Sequence, residues 1–151
     1  MLHSGKELRD KSGYAEYTIE DIEPGLIRSF KVLVTEEMSD QFARLSGDYN
    51  PLHVDEEYAK KTVFNRRICH GSMLLSFFSR MMGMYLPGKN ALCLSLNVNF
   101  LSPAYINDEI KVEGTVMKKS LSTGIIHLKV AITNQYDLQL VNGEAKVLIR
   151  K

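Results

Sequence analysis

The chain has 151 residues, 44% hydrophobic and 25% charged, and its 19 basic residues nearly balance 18 acidic ones. This size and balance are typical of one globular domain, and they exclude a wholly disordered chain or a concentrated basic surface for nucleic acid. The cysteines Cys69 and Cys93 are too few and too far apart for a disulfide framework or a zinc site, so we expect two buried free thiols. With no signal-peptide pattern and no apolar run of membrane-spanning length, the sequence predicts a soluble, cytoplasmic protein.

The first elements are predicted to be an extension, a strand and a helix. Residues 1–16 lack apolar periodicity and are interpreted as a mobile N-terminal extension, with 17–151 forming a single domain. Alternatively, these residues dock on the domain as a short cap. Residues 27–34 are rich in β-forming side chains and predict a strand. Thr35 is a suitable N-cap and Gly47 a suitable C-cap, so a helix is expected between them.

The stretch SGDYNPLH at 46–53 interrupts the helical pattern. The residue before a proline is driven towards extended geometry, so Asn50 cannot continue a helix into Pro51. Asp55 is placed to cap a short second helix over 56–64. A loop is predicted after that helix.

Residues 71–86 predict the most distinctive element, a helix that is apolar almost all round. Its one charged residue is Arg80, and a helix of this kind is normally buried. Small side chains also recur along one face, at Ser72, Ser76, Ser79 and Gly83.

From residue 91 onward the apolar period changes from that of a helix to that of a strand. Alternating segments bounded by turn residues predict strands over 91–101, 109–119, 125–135 and 138–150. Their short connections favour an antiparallel meander. Because only the long helix is apolar enough to cover such a sheet, we predict an α+β fold with a curved antiparallel sheet wrapped around one central helix.

Two side chains in SGDYNPLH have the chemistry of an acid–base pair. The turn at Asn50 and Pro51 allows Asp48 and His53 to converge on one water molecule, and histidine titrates near neutral pH. Alternatively, Asp48 accepts a hydrogen bond within the turn and His53 is an exposed loop residue. The spacing alone is compatible with both interpretations.

The start of the long helix, His70-Gly71-Ser72, is a second candidate feature. Backbone N–H groups at a glycine-led helix N-terminus suit a developing oxyanion. Alternatively, Gly71 only permits a tight entry into the helix, and His70 is a satisfied loop residue. Ser79 and Asn99 are polar positions on apolar elements that either line a pocket or are simply tolerated.

The combined motif over 42–88 closely resembles the R-specific enoyl-CoA hydratases of the MaoC-like dehydratase family. It runs GDYNPLHVD at 47–55, then ICHG at 68–71 where the long helix opens, and LPG at 86–88 where it closes. Each piece is weak alone, whereas the combination is specific. The resemblance covers roughly residues 20–150.

This resemblance implies the hot-dog fold and a homodimer or higher homo-oligomer, with two sheets joined edge to edge and sites at the subunit boundary. It implies a hydro-lyase that reversibly hydrates trans-2-enoyl-CoA to (R)-3-hydroxyacyl-CoA. The acyl-CoA thioester is then the substrate, and no metal or redox cofactor is required because the thioester already acidifies C2.

The resemblance also implies residue roles. Asp48 and His53 act on one water, and the Gly71 N–H stabilises the enolate that forms at the thioester. Contacts to the substrate are expected from Asn50, Ser72 and Ser79. Ser72 departs from the family, in which a methionine is common at this place.

Two alternative functions remain compatible with the fold. A thioesterase of the same fold usually carries a carboxylate on its central helix, and residues 71–86 contain no Asp or Glu. A non-catalytic acyl-CoA-binding module has no need for Asp48 and His53 together. Nucleotide-binding glycine loops and a G-x-S-x-G elbow are missing from the sequence, which disfavours redox or phosphoryl-transfer chemistry.

Overall fold

The structure, a computed structural model, describes residues 13–151. Within these residues, five strands and four α-helices follow one another. In order they are β1 (Ile27–Leu33), α1 (Glu36–Ser46), α2 (Pro51–Val54), α3 (Glu56–Ala59), α4 (Gly71–Arg80), β2 (Ala91–Phe100), β3 (Glu109–Ser120), β4 (Ile125–Thr133) and β5 (Gln139–Ile149). Within this part of the chain, no helix is both long and apolar enough to cross a membrane.

The strands form one antiparallel sheet in the order β1-β3-β4-β5-β2, which leaves β1 and β2 at its edges. Alternate side chains of the three central strands are buried, as the period of two predicts. These side chains and the apolar face of α4 belong to a single core cluster. The predicted α+β hot-dog architecture, with a central helix against one antiparallel sheet, is confirmed.

The long central helix is also confirmed, but only one of its faces is buried, whereas its nearly continuous apolar sequence predicts burial almost all round. After Arg80 the helix continues as a π-helical segment, Met81–Tyr85, in which the Leu86 N–H reaches the Met81 carbonyl oxygen at 2.9 Å. Here the helix lies close to β3, because a Cβ built on Gly114 would lie 3.2 Å from the Met81 side chain. Gly114 therefore allows the helix to approach the sheet.

Capping residues determine where the helices near the site begin and end. The Thr35 hydroxyl accepts a hydrogen bond from the Met38 N–H, and Gly47 ends α1 in the left-handed region at φ 77°. Asp55 caps α3 as predicted, but that helix ends at Ala59 rather than at 64. The reason is local, since the Thr62 hydroxyl donates to the Ala59 carbonyl oxygen and the Phe64 N–H donates to that hydroxyl.

Two predictions about strand β2 are wrong. Its pairing with β5 shifts between Cys93 and Ser95, so the apolar residues before and after this bulge lie on different faces. The unbroken alternation predicted over 91–101 is therefore wrong. Cys93, predicted to be buried, is exposed because β2 is an edge strand, whereas Cys69 is buried.

The prediction of a mobile extension over residues 1–16 does not hold for the last of these residues. Residues 1–12 lie outside the described part, but Ala15 is buried and forms two backbone hydrogen bonds to the chain that follows α4. Its N–H donates to the Met84 carbonyl oxygen at 2.9 Å, and its own carbonyl accepts from the Lys89 N–H at 2.8 Å. Glu16 also pairs with Gly88. The packed domain thus includes these residues.

Candidate active site

Asp48 directly follows the end of α1 and takes part in a tight turn. Its Oδ1 accepts a hydrogen bond from the Asn50 N–H at 3.1 Å, which is the Asx-type turn considered as an alternative to a catalytic role. The Asp48 side chain is nevertheless half exposed, and its second oxygen, Oδ2, points towards His70 at 3.9 Å from Nε2. The turn therefore orients the carboxylate and still leaves one of its oxygens available.

His53 is carried by the one-turn helix α2. Asn50 caps this helix through a hydrogen bond from the Leu52 N–H to its Oδ1, and Pro51 occupies the first helical position. The His53 Nδ1 lies 2.9 Å from the Ile68 carbonyl oxygen. Because a carbonyl oxygen only accepts, Nδ1 carries the proton, and in the neutral ring Nε2 keeps its lone pair. His53 is thus oriented to accept a proton at Nε2.

His70 joins these two residues, a role that the sequence did not predict. It is only 2% exposed, and its Nε2 lies 2.9 Å from the Asp48 carbonyl oxygen. Its ring centroid is 4.0 Å from that of His53 and 5.0 Å from that of Phe42. Its position immediately before the glycine of the helix was the one signal in the sequence.

Asp48, His53 and His70 converge on one place. One oxygen of Asp48 and one ring nitrogen of each histidine all lie within 4.8 Å of one another. A water molecule that makes two hydrogen bonds of about 2.8 Å spans a separation of roughly this size. The predicted convergence of Asp48 and His53 therefore has the geometry that one shared water requires.

The same three side chains are of the types that bind divalent metal ions. Two of the four ring nitrogens already donate to carbonyl oxygens, Nδ1 of His53 and Nε2 of His70. The Nδ1 of His70 is buried. An ion approaching from solvent would therefore meet mainly the Asp48 carboxylate and Nε2 of His53.

Gly71 begins α4 beside this cluster. The first N–H groups of a helix have no acceptor within the helix, and the preceding His70 supplies no side-chain cap. A Cβ at position 71 would lie 2.8 Å from the Phe100 ring. Any larger residue would have to displace the half-exposed Phe100 ring, which packs over the start of the helix. The helix dipole favours negative charge at this point.

The remaining predicted substrate contacts are dispersed. Asn50 lies in the site, where its side chain caps α2, and Ser72 is exposed in the first turn of α4. Ser79 is also exposed but lies eight residues after Gly71, which at 1.5 Å per residue is about 12 Å along the helix. Within one protomer, Ser79 is therefore remote from the cluster, and the substrate roles of these three residues stay predictions.

An apolar groove of about 260 Å³ lies between α1 and α4, next to the cluster. Phe42 belongs both to the groove and to the surroundings of His70. The apolar residues lining the groove are Met38, Phe42, Leu45, Met73 and Phe77.

Arg67 is the other functional candidate that the sequence did not predict. Its guanidinium donates to the His53 carbonyl oxygen at 2.6 Å, to Glu36 at 2.7 Å and to Asp40 at 2.6 Å. The Arg67 side chain is 7% exposed. An arginine in a loop carries little sequence signal, because its acidic partners lie about thirty positions earlier on another element.

Cys69 lies between Ile68 and His70 in the sequence, but its thiol is poorly suited to act as a nucleophile. Burial, and secondly the negative charge of Asp108, raise the pKa of Cys69 to about 12. The thiol is therefore protonated at neutral pH and is not a nucleophile.

Comparison with known proteins gives consistent results. The family model described as MaoC like domain matches residues 21–136. The chain is 40% identical over 106 residues to an (R)-specific enoyl-CoA hydratase of Aeromonas caviae, covering 70% of this chain and 79% of that protein. It is 34% identical over 135 residues to an (R)-specific enoyl-CoA hydratase of Rhodospirillum rubrum, covering 86% and 90%. An unliganded R-hydratase structure from Pseudomonas aeruginosa superimposes with a TM-score of 0.87 at 29% identity, covering 91% of this chain and 88% of that one.

Proposed function

The chain belongs to the MaoC-like domain family, and we propose that it is an R-specific enoyl-CoA hydratase, a hydro-lyase that converts trans-2-enoyl-CoA reversibly to (R)-3-hydroxyacyl-CoA. The observation that carries this proposal is the convergence of Asp48 and His53 within 4.8 Å, beside the glycine that opens the central helix. A hydration requires those two features, a base for water and a stabiliser for the enolate.

The proposed reaction adds one water across the C2–C3 double bond. His53, with its lone pair on Nε2, accepts a proton from a water that Asp48 orients, and the water oxygen bonds to C3. The π electrons move to C2 and the thioester carbonyl, forming an enolate. The proton then passes from His53 to C2 on the same side, which restores the neutral ring and leaves the thioester intact.

Gly71 is proposed to stabilise the enolate through its backbone N–H. The group lies at the positive end of the helix dipole and has no side chain of its own that would block the thioester. The reaction as proposed uses no metal or redox cofactor, because the thioester makes C2 sufficiently acidic. The groove between α1 and α4 is the proposed place for the acyl chain, since it is apolar and Phe42 connects it to His70.

The thioesterase alternative is not favoured. Residues 71–85, the whole central helix with its π-helical continuation, contain no carboxylate that could act as base or nucleophile. A carboxylate at the site comes instead from Asp48, in the turn between α1 and α2, where it lies beside two histidines. This arrangement supports water addition over attack on the thioester carbonyl.

A homodimer joined through β2 is proposed for the assembly. This strand ends the sheet and exposes large apolar side chains, and such an edge is normally covered. The exposed residues on it are Leu92, Leu94 and Phe100. Sedimentation of the wild type should give a dimer and that of Leu94→Lys a larger monomer fraction, whereas a monomeric wild type would contradict this assembly. The cytoplasmic location stays a prediction from the sequence.

The test of the proposed function is a direct assay with crotonyl-CoA. We expect loss of the enoyl absorbance, formation of the R isomer of 3-hydroxybutyryl-CoA, and no release of free thiol. Release of thiol without loss of the double bond would favour the thioesterase instead. Binding of enoyl-CoA without turnover at any chain length would favour a non-catalytic module.

A further inference from the structure

We propose that His70 is a positioning residue for the hydration, which holds Asp48 and His53 at the separation that one water requires. This inference rests on the proposed function and concerns a residue without a role in the reaction steps given above. His70 contacts both members of the pair, through a hydrogen bond to the Asp48 main chain and through ring contact with His53.

The hydrogen bond to Asp48 has a fixed direction. The Asp48 carbonyl oxygen can only accept, so Nε2 of His70 donates, over 2.9 Å. A second hydrogen bond fixes the same residue from its other side, because the Asp48 carboxylate accepts from the Asn50 N–H. The main chain and the side chain of Asp48 are thus held separately, which sets the direction of its available oxygen.

The ring contact holds His53. Its Nδ1 edge is fixed by the Ile68 carbonyl oxygen, and its ring lies 4.0 Å from that of His70, inclined by 31°. His70 itself cannot move easily, since it is 2% exposed and also contacts Phe42. Rotation of His53 away from the shared water would require the loss of both contacts.

The His70 side chain makes little use of hydrogen bonds to its neighbours. Its Nδ1 is buried and has no hydrogen-bond partner among residues 13–151. Within the described residues, the ring of His70 therefore makes one hydrogen bond, the one to Asp48, so that substitutions can remove this bond selectively. A misplacement of about 1 Å at a reacting group can lower a rate by about 10²-fold.

Comparing two amide substitutions isolates the effect of the hydrogen bond from that of losing the ring. In His70→Gln the amide nitrogen lies as many bonds from Cα as Nε2 of histidine, so it can still donate to the Asp48 carbonyl oxygen. In His70→Asn the amide nitrogen is one bond shorter, at the place of Nδ1, and cannot reach it. Both variants lose the ring, and His70→Phe keeps a ring but has no donor.

We expect kcat with crotonyl-CoA to fall roughly 10- to 100-fold in His70→Asn and His70→Phe, with KM changed less than about threefold. His70→Gln should recover at least about tenfold over His70→Asn, at a similar melting temperature. The control His127→Gln, on β4 away from the site, should match the wild type. Equal kcat in the Gln and Asn variants, or full activity in His70→Phe, would overturn the proposal.

A spectroscopic measurement tests the same role without turnover. Long-range ¹H–¹⁵N spectra should report His53 as the Nδ1–H tautomer in the wild type and a mixture of tautomers in His70→Asn, with an unchanged fold. A wild type inactive on all enoyl-CoA substrates would refute the proposed function, while an unaltered His53 signal in His70→Asn would refute the positioning role.

Discussion

The guanidinium of Arg67 donates through Nε to the main-chain carbonyl oxygen of His53 at 2.6 Å. The same group pairs with Glu36 and Asp40 on α1, so a single buried cation ties α1, α2 and the segment before α4 together. The short helix that carries His53 has only four residues and cannot be stable alone. Its position therefore depends on contacts of this kind.

Arg67→Lys should destabilise the fold by about 1–3 kcal/mol, because an ammonium cannot reproduce the three directed hydrogen bonds of the guanidinium. Urea denaturation measures this change. The control is Lys31→Gln, which breaks the ion pair between Lys31 and Glu109. This pair has the same 2.7 Å length as the pair of Arg67 with Glu36, but both of its partners are exposed. That loss should be clearly smaller than the one in Arg67→Lys, because solvent screens an exposed ion pair. Equal effects of the two substitutions would mean that burial of Arg67 contributes nothing.

The sequence predicts the fold well because its elements carry strong local signals. The central helix follows from sixteen nearly continuous apolar or small residues with one charge, and the strands from their period of two. Thr35 and Gly47 mark the ends of α1 by side-chain and backbone chemistry that acts within a few residues. Information of this kind is local, and so it can be recognised without a structure.

The features that the sequence does not predict depend on contacts between distant segments. The bulge in β2 and the exposure of Cys93 result from the edge position of that strand, which is a property of the whole sheet. Asp48 and His53 are recognisable by residue type and spacing. The Asn50 turn that orients the Asp48 carboxylate is also local, whereas the hydrogen bonds to the His53 ring and to the Asp48 main chain come from Ile68 and His70, beyond α2 and α3.

Cys69 should resist alkylation at pH 8 in the folded protein, since burial raises its pKa to about 12 and little thiolate is present. The measurement uses Cys93→Ser, so that only this thiol can react, with iodoacetamide and mass detection. Modification should appear only after denaturation. Rapid modification of the folded variant would show that the thiol is accessible and ionised.

Gly88→Ala should be more damaging than Gly25→Ala, although both glycines have similar positive φ values, +94° and +93°. Each substitution bears the strain of a left-handed backbone, about 1–2 kcal/mol. At position 88 the new Cβ would also lie 1.9 Å from the Ala15 carbonyl oxygen, whereas no atom lies within 4 Å at position 25.

The free energy of unfolding should therefore fall by at least about 1 kcal/mol more in Gly88→Ala. The difference reports on the packing of residues 14–17 against the end of the central helix. Equal losses in the two variants would indicate that this segment does not constrain position 88.

Asp48→Asn tests the acid–base pair with little change in shape. The asparagine Oδ1 can still accept from the Asn50 N–H, so the turn and the melting temperature should be preserved. The charge that orients water and stabilises a protonated His53 is lost. Asp21→Asn is the matched control, because Asp21 also accepts a backbone N–H in an exposed turn, from Thr18, but lies outside the site.

The decisive measurement is kcat for hydration of crotonyl-CoA by Asp48→Asn, Asp21→Asn and the wild type. The acid–base mechanism predicts a loss of about 10²–10⁴-fold in Asp48→Asn alone, with all three proteins equally folded. A wild-type value of kcat in Asp48→Asn would contradict the assignment of Asp48 and His53 to one catalytic water.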